Sequence, residues 1–123
     1  MITDNKLEKE IFRLNAISET LSSKAVSPVG GFNPTIQDVL DALYDVETDN
    51  EKGMYFDSPT VLSHVPGSED LTTTEFNERI SQVTMALDKL LLHGLVYFEH
   101  LDDEPFYRTT RDARAYIDFT KVS

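Results

Sequence analysis

The sequence predicts an α+β fold, several amphipathic helices around a small antiparallel sheet. Three observations carry that expectation. Phe76, Ile80, Val83, Leu87, Leu90 and Leu91 recur at three- and four-residue steps, which lays one apolar stripe along a long helix. Directly after it the pattern changes: Leu95-Val96-Tyr97-Phe98 and Phe106-Tyr107-Arg108-Thr109 flank the turn Asp102-Asp103-Glu104-Pro105, as in a β-hairpin. Gly and Pro cluster at 27–34, 66–67 and 94, where helices have to stop.

Taken in order, residues 6–25 read as a helix. Leu7, Ile11, Leu14 and Leu21 form a heptad-like seam with Phe12 and Ile17 beside it, and Lys6, Glu8, Lys9, Glu10 and Arg13 charge the other face. Two readings stand: the helix packs on its own domain, or residues 1–26 are a dimerisation arm. Ser27 to Phe32 is a linker. Asn33 as cap and Pro34 in the first turn open a second helix with Ile36, Val39, Leu40, Leu43 and Val46 on one face. Met54-Tyr55-Phe56 is a short strand. Asp57 or Ser58 caps a helix through Val61, Leu62 and Val65, ended by Pro66-Gly67. Thr72 and Glu75 fit a capping box for the long helix, Gly94 ends it, and Thr110 caps a last helix with Ala113, Tyr116 and Ile117.

The phrase Ser81-Gln82-Val83-Thr84-Met85-Ala86-Leu87-Asp88-Lys89-Leu90-Leu91-Leu92-His93-Gly94-Leu95-Val96, followed by Tyr107-Arg108-Thr109-Thr110, resembles winged helix-turn-helix regulators of the MarR and PadR class. It is similar to their recognition helix and the two strands of their wing, and the resemblance extends over about residues 34 to 117. Thr109 and Ala113 depart from the family, which often has Leu and Gly there. The resemblance implies a winged domain over 33–119, with a sheet completed by the Met54 strand. It also implies a cytoplasmic, sequence-specific regulator that binds double-stranded DNA as a homodimer.

On that basis Thr73, Thr74, Asn77, Ser81 and Gln82 are the candidates for base edges, and Arg79, the one basic residue of that half, is a further DNA-binding candidate. Gln and Asn pair two-pronged with adenine, and hydroxyls serve several bases. Lys89, Arg108, Arg111 and Arg114 are the candidates for phosphates; surface pairing of the three arginines with nearby acids is the alternative. The dimer seam would be Leu7, Ile11, Leu14 and Leu21, with Tyr116 and Phe119 able to join.

Charge pulls the other way. Twenty-two acids against eleven bases give −11, and residues 34–72 hold nine acids with Lys52 as their one base. DNA-binding proteins usually carry a basic footprint. The run Asp102-Asp103-Glu104 would meet phosphate with like charge unless it points away, holds a cation or faces a protein. A cytoplasm rich in salt, with cations bound at the acidic surface, would account for six lysines among so many acids. The rival function is an acidic interaction module that binds a basic protein or mimics DNA.

Other classes fit less well. The chain has no cysteine, which removes disulfides, thiolate metal sites and thiol redox chemistry. No apolar run reaches membrane-spanning length, and no secretion signal is expected from Met1-Ile2-Thr3-Asp4-Asn5-Lys6. His64, His93 and His100 show no metal-ligand spacing, and Gly30-Gly31 lacks the remainder of a phosphate loop. Neither an enzyme, a resident metal nor a cofactor is expected. Tyr55, Phe56, Tyr97, Phe98, Phe106 and Tyr107 read as sheet faces rather than a base-stacking platform.

Overall fold

The computed structural model describes the backbone of residues 2–51 and 53–122, and the side chains of 8–9, 12–51 and 53–118. The class is α+β: five α-helices and a three-stranded antiparallel sheet. The helices are α1 (Ile2–Ser22), α2 (Ile36–Thr48), α3 (Ser58–Ser63), α4 (Thr73–Leu92) and α5 (Arg111–Val122). The strands are β1 (Phe56–Asp57), β2 (Val96–Leu101) and β3 (Glu104–Thr109), and a 3-10 turn spans Ser68–Asp70. Among the described residues no helix is long and apolar enough to cross a membrane.

Local chemistry sets the helix ends. At α4 the Thr72 hydroxyl accepts from the Glu75 N–H at 3.1 Å while the Glu75 carboxylate accepts from the Thr72 N–H at 3.0 Å, the reciprocal box expected. The Thr72 N–H bonded to the Glu75 carboxylate, and after it the Thr72 hydroxyl beside that carboxylate, hold the Glu75 carboxyl below its ordinary range. At the other end Gly94 takes φ +72°, and the N–H groups of Leu95 and Gly94 reach back to the carbonyls of Leu90 and Leu91 at 3.0 Å each. That is a Schellman ending, which favours glycine because a side chain is strained there.

The α2 start differs from expectation. Thr35, not Asn33, is the cap, and Pro34 lies before the helix. Thr35 has Asp38 three residues on, so a second capping box forms, with Thr35 N–H donating to Asp38 at 2.8 Å. Pro34 instead gives its carbonyl to the Ala25 N–H at 3.0 Å.

β3 is the middle strand of the sheet, paired with β1 through Phe56↔Tyr107 and with β2 from Val96↔Thr109 to Leu101↔Glu104. The sheet-completing strand is Phe56–Asp57, shorter and later than Met54-Tyr55-Phe56. The hairpin turn is two residues, Asp102 (φ +51°) and Asp103 (φ +65°), and both strands run longer than the apolar pattern suggests. Positive φ at both positions matches the right-handed twist of the strands it joins.

One core holds the elements together. Val39, Leu40 and Leu43 of α2, Val61 and Leu62 of α3, Val83, Leu87 and Leu90 of α4, Tyr107 of β3 and Ile117 of α5 are all buried. Leu91 is exposed: it lies one helical step round from Leu90, which takes the inward position. Tyr107 donates its hydroxyl to Asp88 at 2.8 Å, pinning the middle strand to α4, and burial followed by this bond pushes the phenol pKa up.

The second half of α1 belongs to the same core. Ile17 and Leu21 are buried with Val26, Phe32 and Ile36, and Thr20 Oγ1 lies 2.9 Å from His93 Nε2 at the end of α4. Leu21 is therefore taken up by its own chain and is not a free seam residue. Leu14 and Phe12, 47% and 76% exposed, remain outward. The side chains of Leu7, Ile11 and Phe119 lie outside the described residues.

Candidate nucleic-acid interface

The candidate face is the first half of α4. Its inner side carries the half-buried Phe76 and Ile80, packed against the core, and the second half of the helix is anchored by buried Val83, Ala86, Leu87 and Leu90 and by the Ser58–Thr84 hydroxyl contact of 2.6 Å to α3. Gly67, at φ +89°, sits in the link between α3 and α4, where an added Cβ would come within 3.3 Å of the buried Phe32 ring. The link is longer than a tight helix-turn-helix turn, and this contact fixes its course.

Thr73, Thr74, Asn77 and Ser81 are exposed on this face, with Ser81 Oγ bonded back to the Glu78 carbonyl at 3.3 Å. Lys89 is exposed in the last turn of the helix. Each of the three acids of α4 has a local partner. Glu75 is in the cap, Glu78 lies 3.6 Å from Arg79, and Asp88 accepts from Tyr107.

Two expected contact residues are not free. Gln82 is half-buried, and its Oε1 accepts from the Ser27 N–H at 2.7 Å. The segment after α1 thus lies against the middle of α4, leaving a cavity of about 430 Å³ between Lys24, Val26 and Pro28 on one side and Gln82, Met85 and Lys89 on the other. Nothing in the sequence near Gln82 signals this, because its partner is 55 residues away. Arg79 is folded back, its side chain 12% exposed, with a buried Nε that has no partner.

The three C-terminal arginines separate. Arg111 is exposed at the start of α5. Arg108 is half-buried between two rings, its guanidinium carbon 5.1 Å from the Tyr97 centroid and 5.5 Å from Tyr55, and donates to the Gly53 carbonyl at 3.4 Å. Arg114 is half-buried and donates to the Thr109 carbonyl at 3.5 Å. Neither is a free clamp on the outer surface; both line a cavity behind β3 with Tyr44 and Glu47. The nearby surface pairing expected for the arginines is absent from Arg108 and Arg114 among the described residues, while Asp112 lies 3.9 Å from Arg13 of α1.

Glu47 carries no signal in the local sequence pattern. Its carboxylate accepts from the Thr109 N–H at 2.9 Å and from the Thr109 hydroxyl. Burial raises its pKa above the ordinary value, against the lowering effect of those bonds and of Arg114 and Arg108. Here also is the reason β3 tolerates Thr at 109: the hydroxyl has a half-buried acceptor in Glu47.

Comparison with protein-family models, with curated proteins and with solved structures finds no match.

On the far side of α2, Asp45, Asp49 and His64 bring one ligand atom each within 4.8 Å of the others, and His64 Nδ1 lies 3.0 Å from Asp45. The two acids are exposed. The hairpin tip, Asp102-Asp103-Glu104, is exposed as well.

Proposed function

We propose that the chain is a winged helix-turn-helix regulator that binds double-stranded DNA in the cytoplasm as a homodimer. The observation that carries the reading is the exposed row Thr73, Thr74, Asn77 and Ser81 on the leading half of a helix whose back is in the core. The order of elements supports it: two helices, a long third, then a hairpin whose returning strand is the middle of the sheet. Asn77 is the residue suited to a two-pronged contact with adenine, Thr73, Thr74 and Ser81 to single hydroxyl contacts, and Lys89 and Arg111 to phosphate. Gln82 and Arg79 have no direct part, because each is held by the protein itself. Exposed Phe12 and Leu14 on α1 support pairing with a second copy. Two such helices would then address half-sites about 34 Å apart.

The test is a gel-shift series with mixed genomic fragments from low to multimolar KCl. Selective retention of some fragments is expected. With few cations on this face, affinity should fall with salt at a log–log slope of about −2 to −4 for a dimer, at roughly −0.9 per phosphate neutralised. Folded protein that retains no fragment at any salt overturns the reading.

The exposed acids of the hairpin tip favour a second reading, an acidic winged module docking on a basic protein. Capture of such a protein by the wild type, its loss in D102N/D103N and the absence of DNA retention would together select it.

A further inference from the structure

The second cavity has a chemistry that DNA contact does not use. It lies between the end of α2, Asn50 and Gly53, β3 and the start of α5, with a volume of about 740 Å³, and among the described residues none of α4 lines it. That volume is in the range that holds small organic ligands. Two guanidinium groups border it in a chain of net charge −11.

Both guanidinium groups are under-used. A guanidinium has five N–H donors and no acceptor. Arg108 spends one on a long 3.4 Å bond to Gly53, and its buried Nε has no partner. Arg114 makes one 3.5 Å bond to Thr109. Neither has a carboxylate within ion-pair distance among the described residues. Tyr55 and Tyr97 clamp the faces of the Arg108 fork, which fixes its plane and leaves its edge for an acceptor. Glu47, whose two oxygens are turned onto Thr109, adds one negative charge to the same wall when it is ionised.

We propose that this cavity binds a small organic monocarboxylate through Arg108 and Arg114. A planar carboxylate matches the guanidinium fork two-pronged and supplies acceptors for the Nη donors that the Gly53 and Thr109 bonds leave over. With Glu47 ionised the wall carries two positive charges and one negative, which suits a monoanion better than a doubly charged phosphate. The apolar body of the ligand would lie along Tyr44. The inference does not depend on DNA binding, and its test uses no DNA.

The experiment is calorimetric titration of the whole chain with sodium benzoate and sodium hexanoate, with inorganic phosphate as the competing anion at constant ionic strength. Saturable binding of at least one carboxylate is expected, with phosphate at least tenfold weaker. Arg114→Gln should weaken the carboxylate at least tenfold while circular dichroism stays that of the wild type. If Arg114→Gln does not fold, 15N NMR of the wild type reads the site, and the Arg108 Nε–H resonance should move on titration. No saturable carboxylate binding, phosphate bound as well as carboxylate, an unaltered affinity in folded Arg114→Gln, or a stationary Arg108 Nε–H each overturns the proposal.

Discussion

Replacing Leu21 by Ala distinguishes a helix docked on its own chain from a free arm. Leu21 is 1% exposed, among Ile17, Val26, Phe32 and Ile36. The substitution removes three carbons, about 2.4 kcal/mol at roughly 0.8 per buried carbon group. A cavity term adds to this, because a close-packed core collapses only partly around a lost side chain. The expected cost is about 3 to 4 kcal/mol, a large share of the 5–15 kcal/mol typical of a domain. Urea denaturation followed by circular dichroism measures it, at two protein concentrations tenfold apart. The loss should be the same at both concentrations, since Leu21 is covered within one chain. Leu14→Ala, at a site 47% exposed, should cost under about 1 kcal/mol in the monomer. A loss below about 1 kcal/mol for Leu21→Ala, or one that appears only at the higher concentration, refutes the packing of α1 described here.

The hairpin turn should respond to Asp103→Gly: φ +65° is strained for a side chain and free for glycine, so a gain of about 0.5–1 kcal/mol is expected in thermal melts. A lower melting temperature would contradict the turn geometry. Glu47 gives a pH signature. Its folded pKa stands above its unfolded value of 4.5, so the stability it contributes is complete below pH 4.5 and is lost as pH rises through the folded value. Glu47→Gln has no such titration. The stability of the wild type relative to Glu47→Gln should therefore fall as pH climbs from 4.5, and urea midpoints across that range that stay parallel would contradict the raised pKa.

What could be read from the sequence is what depends on neighbours along the chain. The Thr72–Glu75 box, the Gly94 ending and the apolar faces of α2 and α4 each arise within a few residues, and each is present. The cap of α2 lies two residues beyond Asn33. Asn33-Pro34 and Thr35-Asp38 are both local start signals, and the choice between them is made by the segment that pairs Lys24 with Thr35. The candidate site was legible where exposure follows from helix phase, as at Asn77 and Ser81. It was illegible where a distant segment intervenes. Ser27 covers Gln82 from 55 residues away, Tyr55 and Tyr97 enclose Arg108, and Thr109 ties down Glu47 across 62 residues. Long-range pairs of this kind leave no periodic trace.

The most direct measurement is DNA affinity by fluorescence anisotropy, for the wild type and for Asn77→Ala/Ser81→Ala, on the fragments retained most strongly and on random duplex. Loss of two base contacts worth about 1–3 kcal/mol each should weaken the preferred fragments by about thirtyfold or more and leave random duplex nearly unaffected. Equal affinity of wild type and double variant for the preferred fragments would contradict the assignment of this face of α4 to DNA.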